Sequence, residues 1–84
     1  MLKLGTQIAY VPLHAEDRFH PDVEYGFVTS VKESFAFCRY WRKFEPGVLR
    51  TTANSEATPK DQLIEIDSVP EGVIIGHLKR LGYM

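Results

Sequence analysis

The sequence predicts a mainly β fold, a small antiparallel β-barrel with a short C-terminal α-helix. Four short tracts rich in β-branched and aromatic residues alternate with Pro-, Gly- and polar-rich connections, the pattern of strands and turns. Helical periodicity is confined to the C-terminal end, where Val69, Val73, Ile74, Leu78 and Leu81 fall on one face. With 84 residues the chain has room for one core. The expected organisation is therefore a single domain, with residues 1–66 as the barrel and 67–84 as a helix packed on it.

The first strand is expected over Thr6 to Val11, where Ile8, Tyr10 and Val11 supply β-formers and Pro12 removes the next ladder donor. Pro12 to Glu24, with two prolines, two histidines and four acids, reads as a long excursion, with a turn at His20-Pro21-Asp22. Gly26 opens a second strand that runs to Lys32, and Lys32-Glu33-Ser34 is a tight connection into a third, Phe35 to Trp41. In that third strand neither alternating face is purely apolar, so a β-bulge is expected to shift its register. Pro46 to Gln62 reads as a polar loop or a weakly paired strand, and Leu63 to Ile66 as the last strand. Ser68, three residues before Glu71, has capping-box spacing, and Pro70 suits a first helical turn. Lys79 and Arg80 suit the negative end of the helix, and Gly82 is a natural stop. Gly72 and Gly76 each weaken it by about 1 kcal/mol relative to Ala.

Ten Lys+Arg against eleven Asp+Glu exclude a protein that coats nucleic acid by bulk charge. A hydrophobic content of 44 % is that of a folding chain, although a domain of this size buries only about 60 % of its unfolded surface. No run of about 20 apolar residues is present to span a bilayer. The start, Met-Leu-Lys-Leu-Gly-Thr-Gln, lacks the apolar stretch of a signal peptide, and the single Cys38 fits a reducing compartment. A cytoplasmic location is expected.

The run Gly5-x-x-Ile8-Ala9-Tyr10-Val11-Pro12, then His20-Pro21-Asp22-x-Glu24-x-Gly26-x-Val28, then Phe35-x-Phe37-Cys38-Arg39-Tyr40 resembles an SH3-like barrel. Its Gly-x-Val entry to the second strand is similar to the KOW-type variant. The order of motifs, closing with Pro59-Lys60-Asp61-Gln62-Leu63, resembles small uncharacterised proteins encoded by bacteriophages and prophages. The resemblance covers residues 5 to 66, leaves the helix outside, and implies a fold rather than a chemistry.

Charge is segregated along the chain. Arg39 to Arg50 carries four cations and one acid, His14 to Tyr25 four acids and one cation, and Glu56 to Glu71 five acids and one cation. The segment Phe35 to Phe44 interleaves five aromatics with three cations, a composition that stacks on bases and grips phosphate, or recognises a protein. Within it Arg39, Trp41, Arg42 and Lys43 form the expected binding patch. Cys38, mid-strand between Phe37 and Arg39, is expected to be buried and inert, and the chain has neither a phosphate-binding Gly loop nor a nucleophile elbow. An enzyme is not expected.

The loop His14 to Glu24 would suit a divalent metal only if it folded back on itself, since a six-residue gap between His14 and His20 is no recognised ligand spacing. No metal and no cofactor are expected. The helix either closes the end of the barrel or joins a homodimer through Ile75 and Leu78. The resulting expectation is a non-catalytic interaction module acting on a protein partner, with the resemblance implying a phage or host protein. The alternative is single-stranded nucleic acid or RNA binding through residues 35–44; a third reading is a metal-dependent protein or enzyme built on the His14–Glu24 loop.

Overall fold

The structure, a computed structural model, describes residues 1–41 and 55–84. Arg42 and Lys43 of the expected patch, and the first part of the expected polar segment 46–62, lie outside these residues. Strands β1 (Gln7–Tyr10), β2 (Glu24–Val31), β3 (Phe35–Tyr40), β4 (Glu56–Pro59) and β5 (Leu63–Glu65) precede helix α1 (Glu71–Leu81), with a 3-10 turn at Lys60–Gln62 between β4 and β5. All pairings are antiparallel, in the order β4-β3-β2-β1-β5. The two edges, β4 and β5, do not pair with each other, so the sheet is open where the sequence predicts a closed barrel. Among the described residues, no helix is long and apolar enough to cross a membrane.

Both faces of the sheet are covered. Ile8, Val28, Ala36, Cys38 and Tyr40 form a buried cluster on one face, with Leu2, Tyr10 and Leu63 packed at its margin. Along β3 the burial alternates, with Ala36, Cys38 and Tyr40 inside and Phe35, Phe37 and Arg39 half-buried. The Tyr40 hydroxyl, deep in this cluster, shares a 2.6 Å hydrogen bond with the Thr58 hydroxyl of β4, so neither polar group is stranded. Gly26 lies opposite Tyr40, where a Cβ would strike the Arg39 carbonyl and come within 2.8 Å of the Tyr40 Cα. Only glycine lets the two strands approach this closely.

The bulge falls in β2 rather than β3. Val28 pairs with Cys38 and Ser30 with Phe37, leaving Thr29 as the extra residue. Its hydroxyl donates to the Phe37 carbonyl at 3.1 Å and meets the Ser55 hydroxyl at 2.6 Å.

The other face carries α1, which packs Ile74 and Leu78 onto Phe27 and Trp41. The helix starts at Glu71, after Pro70, without a side-chain cap. Ser68 does not close the expected capping box: its hydroxyl and amide, with the Val69 amide, donate to Gln7 Oε1 at 3.2, 3.1 and 3.0 Å. Gln7 Nε2 in turn donates to the Val69 carbonyl at 2.8 Å, so one buried amide of β1 holds the whole approach to the helix. The C-terminal end follows the sequence reading. Gly82 is left-handed at φ 87°, its amide donates to Lys79 and that of Tyr83 to Leu78, the pairing of a Schellman motif.

Candidate functional site

The excursion between β1 and β2 is organised by short-range bonds. The Val11 amide, donating to the Gln62 carbonyl at 2.9 Å, ties its base to the turn before β5. The Ala15 amide donates to the Pro12 carbonyl, and the Phe19 amide to the Asp17 carboxylate at 2.8 Å, an Asx turn. Pro21 occupies the second position of a turn closed by the Val23 amide on the His20 carbonyl, 3.0 Å. From β2 the Tyr25 hydroxyl donates to the Arg18 carbonyl at 3.1 Å. Buried Val23 roots the returning limb.

On this frame the loop folds back on itself. His14 Nε2–H donates to Asp22 Oδ2 at 2.7 Å, and His20 Nδ1, which lies 4.0 Å from the same oxygen, accepts the Asp22 amide at 3.0 Å. The two imidazoles stand edge to face with centroids 5.4 Å apart. Leu13 and Phe19 project outward, 86 % and 80 % exposed, and the Arg18 guanidinium lies 5.5 Å from the Phe19 ring. Glu16, Asp17, Asp22 and Glu24, in the same stretch of chain, are all exposed. Desolvation, and then the carboxylate of Glu56, raise the Glu24 carboxyl above its usual range.

The patch expected around Trp41 is arranged otherwise. Trp41 is only 5 % exposed, wedged between Phe27 and His77 with ring centroids at 5.4 and 4.8 Å. Its place at the surface is thereby corrected: α1 covers the face on which strand alternation puts it. Arg39 turns toward the C-terminus, where its Nε donates to the Tyr83 hydroxyl at 3.1 Å and its guanidinium lies 5.6 Å from that ring. The Tyr83 oxygen also shares a 3.0 Å hydrogen bond with Ser55, and these hydrogen bonds, Ser55 first and then Arg39, lower the phenol from its usual range. Arg39, Tyr83, Ser55 and Thr29 thus link the bulge to the chain after α1.

Of the expected dimer contact, Leu78 is 2 % exposed against the chain's own sheet and is spent on that packing, and Ile75 is half-buried. Cys38 is fully buried and its thiol is pushed up by burial, away from the reactive thiolate.

Sequence reasoning missed Leu13 and Phe19 as a displayed pair. The available signal is the Asp17-x-Phe19 spacing of an Asx turn together with the proline turn that follows. Comparison of the chain with protein-family models, with curated proteins and with solved structures finds no match.

Proposed function

We propose that this chain is a non-catalytic interaction module of SH3-like build, which presents the loop between β1 and β2 to a protein partner. The observation that carries this reading is the near-complete exposure of Leu13 and Phe19 on a loop whose backbone is held by its own hydrogen bonds. Two large apolar side chains displayed on a pre-ordered loop lose little further entropy on binding. The exposed carboxylates of Glu16, Asp17, Asp22 and Glu24 in the same stretch of chain favour a segment that is apolar and basic. The SH3-like assignment is supported by the sheet order, with the 3-10 turn between β4 and β5 bringing the last strand back beside β1.

The likeness of the motif order to phage-encoded proteins makes a phage or host protein the natural partner, and the buried free thiol of Cys38 suits a cytoplasmic setting. Binding of nucleic acid through residues 35–44 has less support, because Trp41 is buried and Arg39 is engaged by Tyr83.

The test uses two labelled synthetic peptides with the same apolar residues, one basic and one acidic. Fluorescence polarisation should show the basic peptide bound and the acidic one excluded. Leu13→Ser with Phe19→Ser should weaken binding about tenfold or more at unchanged circular dichroism. Equal affinity for both peptides, no binding, or unchanged affinity in the double variant would overturn the reading.

A further inference from the structure

Two imidazoles and a carboxylate brought together by this loop are donors of the kind that hold a metal ion. One ring nitrogen of His14, one of His20 and a carboxylate oxygen of Asp22 lie within 4.8 Å of one another, and Asp22 Oδ2 is 2.7 Å from His14 Nε2 and 4.0 Å from His20 Nδ1. Their mixture of two imidazoles and one carboxylate belongs to the borderline transition metals; Mg²⁺ and Ca²⁺ prefer all-oxygen sites. The obstacle raised by the sequence, a six-residue gap between the histidines, is removed by the turn at His20–Val23, which carries Asp22 and His20 back toward His14.

Two details of the arrangement bear on ligation, one fixing a tautomer and one aiming a donor. The Asp22 amide donates to His20 Nδ1, so that nitrogen carries its lone pair and the proton sits on Nε2, the tautomer that ligates through Nδ1. His14 already directs Nε2 at the Asp22 carboxylate, and a metal ion can take the place of the proton between them.

We infer that His14, His20 and Asp22 form a Zn²⁺ site with three protein ligands and an open position toward solvent. Metal–ligand bonds of about 2.0–2.2 Å in a tetrahedron set the donor atoms about 3.3 Å apart. The His14–Asp22 pair, at 2.7 Å, must open slightly, and the His20–Asp22 pair, at 4.0 Å, must close. All three side chains reach solvent, with only His20 half-buried, so these are side-chain adjustments. The backbone bond from Asp22 to His20 is exchanged for the metal, and its exposed amide turns to water. The bound ion would tie Asp22 and the returning limb to His14, and so fix the loop that displays Leu13 and Phe19. Metal binding is measured without any partner, so it stands or falls separately from the interaction-module reading.

The test is calorimetric titration of untagged protein with ZnCl₂, paired with ¹⁵N spectra of the imidazoles. The expected result is saturable binding of one ion per chain in the micromolar range. On metal addition, the His14 Nε2 and His20 Nδ1 resonances should move together to the metal-bound range. His14→Ala, His20→Ala and Asp22→Ala should each weaken binding about tenfold or more, and MgCl₂ should leave the imidazole resonances unmoved. No saturable binding, unchanged affinity in the variants, or shifts confined to His77 would overturn the proposal. The ¹⁵N spectra of the unsubstituted protein decide the matter even if a variant fails to fold.

Discussion

Trp41 meets His77 edge-on, with ring centroids 4.8 Å apart and planes inclined at 71°. The contact joins the residue that follows β3 to the middle of α1, and the Nδ1 of His77 accepts from Arg80 at 2.6 Å on the same helix. Trp41 Nε1 is buried and finds no hydrogen-bond partner among the described residues. Among the described residues the indole is therefore held by packing alone. Trp41→Ala is expected to cost about 3–5 kcal/mol, the range for removing a buried aromatic. Trp41→Phe is expected to cost about 1.5 kcal/mol or less, because it keeps an aromatic ring and deletes a donor with no partner among the described residues. Urea unfolding followed by far-ultraviolet circular dichroism measures both. An alanine variant as stable as the parent would show that the ring stands at the surface.

Gln7 carries the junction between the sheet and the helix through four hydrogen bonds to Ser68 and Val69. Removing its amide leaves part-buried backbone groups of Ser68 and Val69 without their partner, so Gln7→Ala is expected to destabilise by about 1–2 kcal/mol. The Ser68 and Val69 amides should also lose protection in hydrogen exchange before those of β2 do. Retained protection at Ser68 and Val69 would mean that Gln7 is dispensable there.

Glycine-to-alanine substitutions should separate by location. Gly26→Ala forces a methyl group into the β3 backbone and is expected to cost about 3 kcal/mol or more. Gly72 and Gly76 sit exposed on α1, and a Cβ added at either would meet nothing within 4 Å. Alanine at either should stabilise by up to about 1 kcal/mol through the chain entropy of the unfolded state. Thermal unfolding of the three variants should place Gly26→Ala lowest and the two helix variants at or above the parent.

The Glu24 carboxyl is raised in the folded chain by desolvation and then by Glu56, so folding disfavours its ionised form. The penalty is present at pH 7 and fades as the pH falls through the raised folded value. It is absent below the unfolded value, where both states are protonated. Glu24→Gln should therefore be slightly more stable than the parent at pH 7, by about 0.5 kcal/mol or less for so exposed a group, and no more stable near pH 3. Denaturation midpoints at the two pH values check the sign. A variant that is less stable at pH 7 would contradict it.

Local chemistry accounts for what is legible in the sequence. Strands β1, β2, β3 and β5 lie within the tracts marked by β-branched and aromatic residues, apart from the two residues by which β2 precedes Gly26. The helix and its Gly82 stop follow from apolar spacing and left-handed backbone preference. The Pro46–Gln62 segment is ambiguous because Glu56–Pro59 contains only one residue, Thr58, that the sheet buries. In the candidate site, the sequence marks the His14–Glu24 loop as chemically distinctive, but the separation of its histidines says nothing about where two successive turns bring them.

Which segments extend, where the helix stops, and which loop concentrates imidazoles and carboxylates can be read from the residues alone, because those properties depend on neighbours a few residues apart. The burial of Trp41, the pairing of Ser68 with Gln7 rather than with the helix start, and the meeting of His14 with Asp22 emerge only from long-range packing and loop closure. Alternation along β3 divides its residues between two faces, but whether a face meets water depends on a helix that begins 30 residues beyond Trp41. Burial is set by what arrives from elsewhere in the chain, and that is a property of the packed molecule.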